Sequence, residues 1–328
     1  PEEIFNDPDI DCVLNLTIPA AHAEISLKAL EAGKHVYSEK PFATTIEDGK
    51  KILELASSKG LYVGNAPDTF LGGRVQTCRR LIDEGLIGKP TGVTAFACTH
   101  GVERHHPNPD FYYKEGGGPL LDLGPYYLTA MISLLGPVKR GCGFSRRTFA
   151  ERMIESHPRH GEMMEVEVDT HVCGMLEFKS GVIGSLMMSF DIWDSMLPRM
   201  EIYGELGTLC LADPDPTDGT NIFGGQLLYK TRHTSRWEYK PRPKNREAWD
   251  LAVNRHGYNE NSRGLGLADL AYAVRDGRPP RASGEMAFHV FEIMMGILDS
   301  PHAGVYNVLE SSCDIPAPLP EDFPKSEG

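Results

Sequence analysis

An acid and a base stand side by side in the stretch HVYSEKPFATT, where Glu39 and Lys40 follow a short apolar run and Pro41 fixes the exit of the chain. Charged residues at the carboxyl end of a strand occupy the place where open α/β sheets bind ligands. The pair is therefore either a site or a charged loop. A second pair lies in KEGGGPLLDLGPYYLTAMISLLGPV, with Asp122 just before an expected helix and Tyr126 in its first turn. Four residues apart, the two can share one side, and a helix N-terminus favours negative charge there. The plainer alternative makes Asp122 a cap and Tyr126 a core aromatic, and spacing alone leaves both open. The glycine run at 116–118 allows backbone to approach a ligand or another backbone closely.

Between the two pairs comes HGVERHHPNPDFYY, residues 100–113. His100, His105 and His106 with Glu103 match no common zinc or iron spacing, so no metal is expected. Arg104, His106, Asn108, Tyr112 and Tyr113, with Trp193 further on, suit a hydroxylated substrate, since aromatic faces stack on sugar carbons and polar ends bind hydroxyls. A polar surface loop is the equal alternative.

The elements that must position these residues are legible in outline. An apolar strand at 12–17, a helix at 20–32 ended by Gly33, a strand at 35–38, a helix at 45–59 and a strand at 61–64 form a β-α-β-α-β run. Thr44 with Glu47 fits a capping box for the second helix. Short crossovers of this kind make parallel strands with helices on the faces. Three parallel strands are half of a doubly wound dinucleotide fold. An upstream β-α-β half carrying the glycine-rich phosphate turn is expected to complete it, unless another segment or chain covers the open edge. Neither RGLGLAD nor GCGFSR supplies that turn, because each lacks the third glycine and the preceding strand.

After residue 66 the pattern changes. A helix at 74–84 and a strand at 91–100 precede a period-two run, MEVEVDTHVCGMLEF, which turns at 179–181 and returns as 182–191. Strands at 199–203 and 208–211 continue it, and two late helices, 264–275 and 284–298, are expected to cover one sheet face. APDTFLGG, 66–73, links the two parts and is expected to line the cleft between them.

Composition narrows the class. Hydrophobic residues at 41% and charged residues at 24% are those of a globular chain. With 33 Lys and Arg against 46 Asp and Glu, the net charge of −13 argues against nucleic acid as partner. No apolar stretch reaches membrane-span length. Seven scattered cysteines, never in C-x-x-C, suit reduced thiols and a cytoplasmic location.

DIDCVLNLTIPAAHAEISLKALEAGKHVYSEKP followed by GGGPLLDLG resembles the Gfo/Idh/MocA oxidoreductases over essentially the whole chain. The resemblance rests on Thr17, Pro19 and His22, on E-K-P at 39–41 and on G-G-G-x-x-x-D-x-G at 116–124, in that order. It implies a partial Rossmann domain over 1–66, the C-terminal half of an NAD(P)-binding unit. Residues 67–328 would then form an α+β domain for substrate binding and oligomerisation, built on a large, mainly antiparallel sheet. Thr17, Pro19, His22, Glu39 and Lys40 match the family's cofactor-side residues. Lys40 matches its catalytic lysine, and Asp122 the carboxylate that orients substrate. Tyr126 stands where the family most often has histidine, although some members similar to sugar and dihydrodiol dehydrogenases carry tyrosine there.

The implied activity is hydride transfer between NAD or NADP and a sugar, polyol or related cyclic alcohol, in a homo-oligomer joined through the C-terminal sheet. Two alternatives use the same scaffold: a hydrolase or lyase acting by transient oxidation, and a non-catalytic sugar-binding regulator. A carbinol oxidised to a carbonyl needs a group to handle its proton. Lysine at about 10.4 and tyrosine at about 10 are too basic alone. Proximity to Lys40 is expected to lower the tyrosine, and desolvation the lysine, so that Lys40 and Tyr126 share the acid/base role.

Overall fold

The computed structural model describes residues 1–211, 222–231, 249–259, 263–304 and 306–324. The chain starts with helix α1 (Glu2–Asn6), then runs β1 (Cys12–Asn15), α2 (Pro19–Glu31), β2 (His35–Ser38), α3 (Ile46–Lys59) and β3 (Val63–Asn65). The three strands pair in parallel in the order β1-β2-β3, as the short helical crossovers require. The cap of α3 sits one residue later than the sequence indicates: the Thr45 side chain accepts from the amide of Asp48 at 3.1 Å.

Helix α4 (Gly73–Asp83) leads into β4 (Pro90–Cys98), α5 (Pro119–Leu135) and β5 (Val138–Arg146). Two short strands, β6 (Glu151–Met153) and β7 (Met163–Glu165), pair with each other. The chain continues through β8 (His171–Phe178), β9 (Ile183–Ser189), β10 (Met200–Gly204), β11 (Gly207–Leu211), β12 (Leu228–Thr231) and β13 (Asp250–Leu251). Helices α6 (Leu265–Asp276) and α7 (Gly284–Ala303) and strand β14 (Asn307–Val308) follow. Among the described residues the large sheet has nine strands in the order β13-β12-β11-β10-β4-β9-β8-β5-β14. Its pairs are antiparallel except β4 with β9.

Three expectations need correction. The alternating run at 164–178 is two strands, not one: Thr170 donates its amide to Arg146 and Val166 to Ala150, so the chain jogs between ladders while the side-chain alternation continues. Helix α5 begins at Pro119, behind an N-cap at Gly118 with φ of 91°, so Asp122 lies inside its first turn and Pro125 within the helix. The helices on the inner face of the large sheet are α5 and α7; α6 packs instead against β3. Helix α5 is apolar nearly all round because the sheet, α4 and α7 enclose it.

The two sheets are tied together at the ends of β3 and α7. The amide of Asn65 donates to the carbonyl of Ala282 at 2.9 Å. In the linking segment the buried Asp68 carboxylate accepts from the amides of Gly264 and Gly266 at 2.9 and 3.1 Å, anchoring the start of α6. Among the described residues no helix is long and apolar enough to cross a membrane.

Candidate active site

The carboxyl ends of β1 and β2 carry the first half of the site. Asn15, the last residue of β1, is buried and fixes the loop that follows: its amide donates to the His22 carbonyl at 3.0 Å, and its side-chain oxygen accepts the Thr17 hydroxyl at 2.7 Å. His22 is fully buried on α2, and its two ring nitrogens meet the carbonyls of Pro41 and Thr17 at 2.8 and 2.9 Å. It thereby braces the loop after β1 against the loop after β2. The latter is Glu39-Lys40-Pro41, and the Glu39 carboxylate accepts from the Lys40 amide at 3.0 Å.

The second half comes from α5 and the loop before it. Gly117 lies so close to the preceding turn that an added Cβ would stand 2.5 Å from the Tyr112 carbonyl and 2.6 Å from that of Phe111. Only glycine lets the turn at 110–113 lie against the start of α5. Four residues apart on one helix, Asp122 and Tyr126 both reach Lys40. Its ammonium donates to Asp122 Oδ1 at 2.7 Å and to the Asp122 carbonyl at 3.0 Å, and it lies 5.4 Å from the centre of the Tyr126 ring. Pro125, which has no N–H for the helix ladder, interrupts it in this same turn. Arg263 also approaches Tyr126, its guanidinium 5.7 Å from the ring centre.

Lys40 and Asp122 border a cavity of about 430 Å³ whose walls also include Ile18, Pro19, Tyr112 and Leu121. Burial works to lower the pKa of Lys40, but the Asp122 charge, the neighbouring Tyr126 and the hydrogen bond to Asp122 outweigh it and hold the lysine above its ordinary value. The sequence-based expectation of a lysine lowered by desolvation is thus corrected: an ion pair at 2.7 Å wins over burial. Burial, and then the Asp122 charge, also raise Tyr112 above the usual tyrosine value.

Of the residues singled out from sequence, Thr17, Pro19, Glu39, Lys40 and Asp122 line this one cavity. Tyr126 joins through Lys40, and His22 lies beneath. Others fall elsewhere. Tyr113 is fully buried, its hydroxyl donating to Glu103, and it turns away from the cavity that Tyr112 faces. Trp193 is 70% exposed and stacks on His100 at 3.4 Å, with Arg104 at 5.6 Å from its ring. His106 stands behind the wall, edge-on to Phe111 and Tyr112 at 5.5 and 5.3 Å. Tyr112 faces the cavity as expected of the loop, and beside it Phe111 lines the wall without having been selected from the sequence. The only signal for Phe111 is the run of three aromatics, which does not say which ring faces in.

Comparison with known proteins identifies the family of the chain. Residues 1–66 match the family model described as the oxidoreductase family, NAD-binding Rossmann fold. Residues 75–210 match the GFO/IDH/MocA C-terminal domain. An uncharacterised oxidoreductase of Schizosaccharomyces pombe is 28% identical over 253 residues, covering 66% of this chain and 68% of its own. The 1,5-anhydro-D-fructose reductase of Ensifer adhaerens is 29% identical over 214 residues, covering 63% of this chain and 59% of its own. Among solved structures, levoglucosan dehydrogenase in complex with NADH superposes with a TM-score of 0.75 at 21% identity, over 94% of this chain and 82% of the other. That likeness is one of fold.

Proposed function

Because this chain belongs to the Gfo/Idh/MocA oxidoreductase family, we propose that it serves an NAD(P)-dependent dehydrogenase or reductase acting on a sugar, polyol or related cyclic alcohol. The observation that carries the reading is the partly buried Lys40–Asp122 pair lining a cavity at the carboxyl ends of β1 and β2. The end of that cavity bordered by Thr17, Ile18 and Pro19 suits a nicotinamide riboside: it offers apolar surface, with Ile18 70% exposed, beside the Glu39 carboxylate for ribose hydroxyls. A nicotinamide bound there supplies hydride chemistry at carbon.

The chain's own residues handle the oxygen. Lys40 uses two N–H bonds on Asp122 and has a third for a substrate oxygen. In the reductive direction it gives that proton to the carbonyl oxygen as the carbinol forms, and takes another from solvent. In the oxidative direction the neutral amine accepts the hydroxyl proton. Asp122 keeps the lysine pointed and charged, which favours the acid role. Tyr126, with its ring against Lys40, shares the proton transfer through its hydroxyl.

We place the division between the nucleotide-binding unit and the larger unit at residues 66–67. Assembly as a homo-oligomer through the open face of the large sheet belongs to the same proposal. There the ladder register puts Phe144, Cys173, Met187 and Phe96 in one row across β5, β8, β9 and β4, an apolar stripe that suits a second copy. Seven free cysteines fit a cytoplasmic location.

The test is a screen of the protein with NAD⁺ and NADP⁺ against D-glucose, D-xylose and myo-inositol, and with NADH and NADPH against L-sorbose, reading nicotinamide absorbance. Turnover that Lys40→Met abolishes supports the assignment; no turnover across the panel, or wild-type turnover in Lys40→Met, overturns it.

A further inference from the structure

A second ionic cluster lies away from Lys40, and the proton transfer makes no use of it. Glu103, Arg152 and Tyr113 are buried, at 3%, 6% and 0% exposure, with the Asp191 side chain beside them. Arg152 donates through Nη1 to Glu103 and through Nη2 to Asp191 and to the Phe190 carbonyl, the last at 2.8 Å. The Tyr113 hydroxyl donates to the other Glu103 oxygen and accepts from the amide of Val102 at 3.3 Å. The second oxygen of Asp191 takes the Thr170 hydroxyl at 2.7 Å.

Removing two carboxylates and a guanidinium from water is costly, and an apolar cluster of similar volume stabilises a fold as well or better. What such a cluster adds is geometry. This one joins the 100–113 loop to β6, through Arg152, and to the end of β9, through Asp191. It also anchors Tyr113 at the end of a single 3₁₀ turn, Asp110–Tyr113. The neighbouring Tyr112 and Phe111 then emerge on the opposite side, their rings 4.1 Å apart, as cavity wall. The Tyr112 carbonyl is held by the Gly118 amide at 2.7 Å, and that of Tyr113 by the Glu167 amide at 2.8 Å.

We propose that Arg152 is a positioning residue: acting through Glu103 and Tyr113, it fixes Tyr112 and Phe111 as the aromatic wall that receives the C–H face of a cyclic polyol beside Lys40. This rests on the hydride-transfer reading above and names the part of the site that selects ring substrates. Hydrophobic ring faces of this kind discriminate by shape and by exclusion of water, while hydroxyls are read elsewhere in the cavity.

The test compares wild type, Arg152→Met, Arg152→Lys and Tyr112→Ala by hydrogen–deuterium exchange of the 100–113 loop and by kinetics on the best substrate of the panel. Arg152→Met is expected to raise exchange in the loop about tenfold and KM about tenfold, with kcat within about threefold; Arg152→Lys recovers part of both. Tyr112→Ala is expected to raise KM without raising exchange. A merely structural Arg152 would lower the melting temperature and leave KM alone, and that result overturns the proposal, as does unchanged loop exchange. If Arg152→Met does not fold, Tyr113→Phe, which removes one donation to Glu103, carries the same comparison. If wild type turns over no member of the panel, the hydride-transfer reading fails, and the exchange measurement alone decides for or against positioning by Arg152.

Discussion

The ammonium of Lys40 and the carboxylate of Asp122, 82 residues apart in sequence, meet at 2.7 Å. The pair joins the carboxyl end of a parallel strand to the first turn of a helix that packs on the other sheet. Removal of either partner leaves a charge in a poorly hydrated place. Lys40→Met is therefore expected to lower turnover by about 10²–10⁴, the usual worth of a placed acid or base. The pH profile adds a check. Asp122 lifts Lys40 above its ordinary 10.5 despite burial. Reduction, which needs the charged form, should hold steady through neutral pH and fall only as pH climbs past that value; oxidation, which needs the amine, should rise over the same range. A reductive rate that falls between pH 7 and 9, marks set by the span from neutrality to well below an ordinary lysine, contradicts the assignment.

Tyr126 separates two roles that its position allows. Its ring packs against the Lys40 ammonium at 5.4 Å, and its hydroxyl is the proposed partner in proton transfer. Tyr126→Phe keeps the ring and removes the hydroxyl. A shared acid/base role predicts a fall in kcat of about tenfold or more with little change in melting temperature. Unaltered kcat would leave Lys40 as the sole acid, with Tyr126 acting through its ring.

The parallel β-α-β-α-β run was readable because its signals are local: apolar runs of strand length, helices stopped by glycine, and charges after β2. The meeting of Lys40 with Asp122 was not, since no periodicity links residues 82 apart; the family resemblance implied one site for both, and the direct ion pair is seen only in the structure. The start of α5 was misplaced because Pro119 and Pro125 are both acceptable near a helix start, and only the left-handed Gly118 chooses between them. Likewise Tyr112 and Tyr113 are equivalent as letters. Which one faces the cavity is decided by the buried Glu103–Arg152 pair, whose partners are 49 residues apart.

The open face of the large sheet yields a prediction about assembly. Phe144 is 80% exposed, so it contributes little to the fold of a single chain, yet it heads the stripe that runs through Cys173, Met187 and Phe96. Phe144→Asp should leave the melting temperature of the isolated chain nearly unchanged while weakening self-association by about tenfold or more, as loss of a large interface aromatic does. Sedimentation velocity over a concentration series checks this. An oligomer indifferent to the charge places the interface on another surface.

A different side chain governs acid stability. His289 is fully buried on α7. Its Nε2 accepts from the Val138 amide at 3.0 Å, and its Nδ1 faces the Ser311 hydroxyl at 2.7 Å. Burial lowers its pKa to about 4, against the opposing pull of Glu292 and with a small push from Lys179. The folded state therefore holds a neutral ring, while the unfolded chain takes up a proton near 6.5. Stability from this group is fully present above 6.5 and is lost as pH falls from there towards 4. The shift corresponds to about 3 kcal/mol at about 1.4 kcal/mol per unit. Urea unfolding at a series of pH values should show that decline, and His289→Gln, which keeps an acceptor for Val138, should flatten it. An equally steep decline in the variant would assign the acid sensitivity to other groups.

The tight approach at Gly117 links stability to the site directly. An added methyl would stand 2.5 Å from the Tyr112 carbonyl and 2.6 Å from that of Phe111, both backbone atoms that cannot swing aside. Gly117→Ala must therefore push the 110–113 turn away from α5, stretching the 2.7 Å bond from the Gly118 amide to the Tyr112 carbonyl. The expected cost is about 1–3 kcal/mol in unfolding free energy, the range for a substitution that strains backbone packing. The displacement also moves the Tyr112 ring relative to Lys40, so KM should rise more than kcat falls. A control at Gly85, just past the end of α4, where a Cβ would meet nothing within 4 Å but the backbone has φ of 75°, should lose stability through strain alone and keep KM near wild type. Equal KM changes in the two variants would mean that the turn does not form the wall of the substrate site.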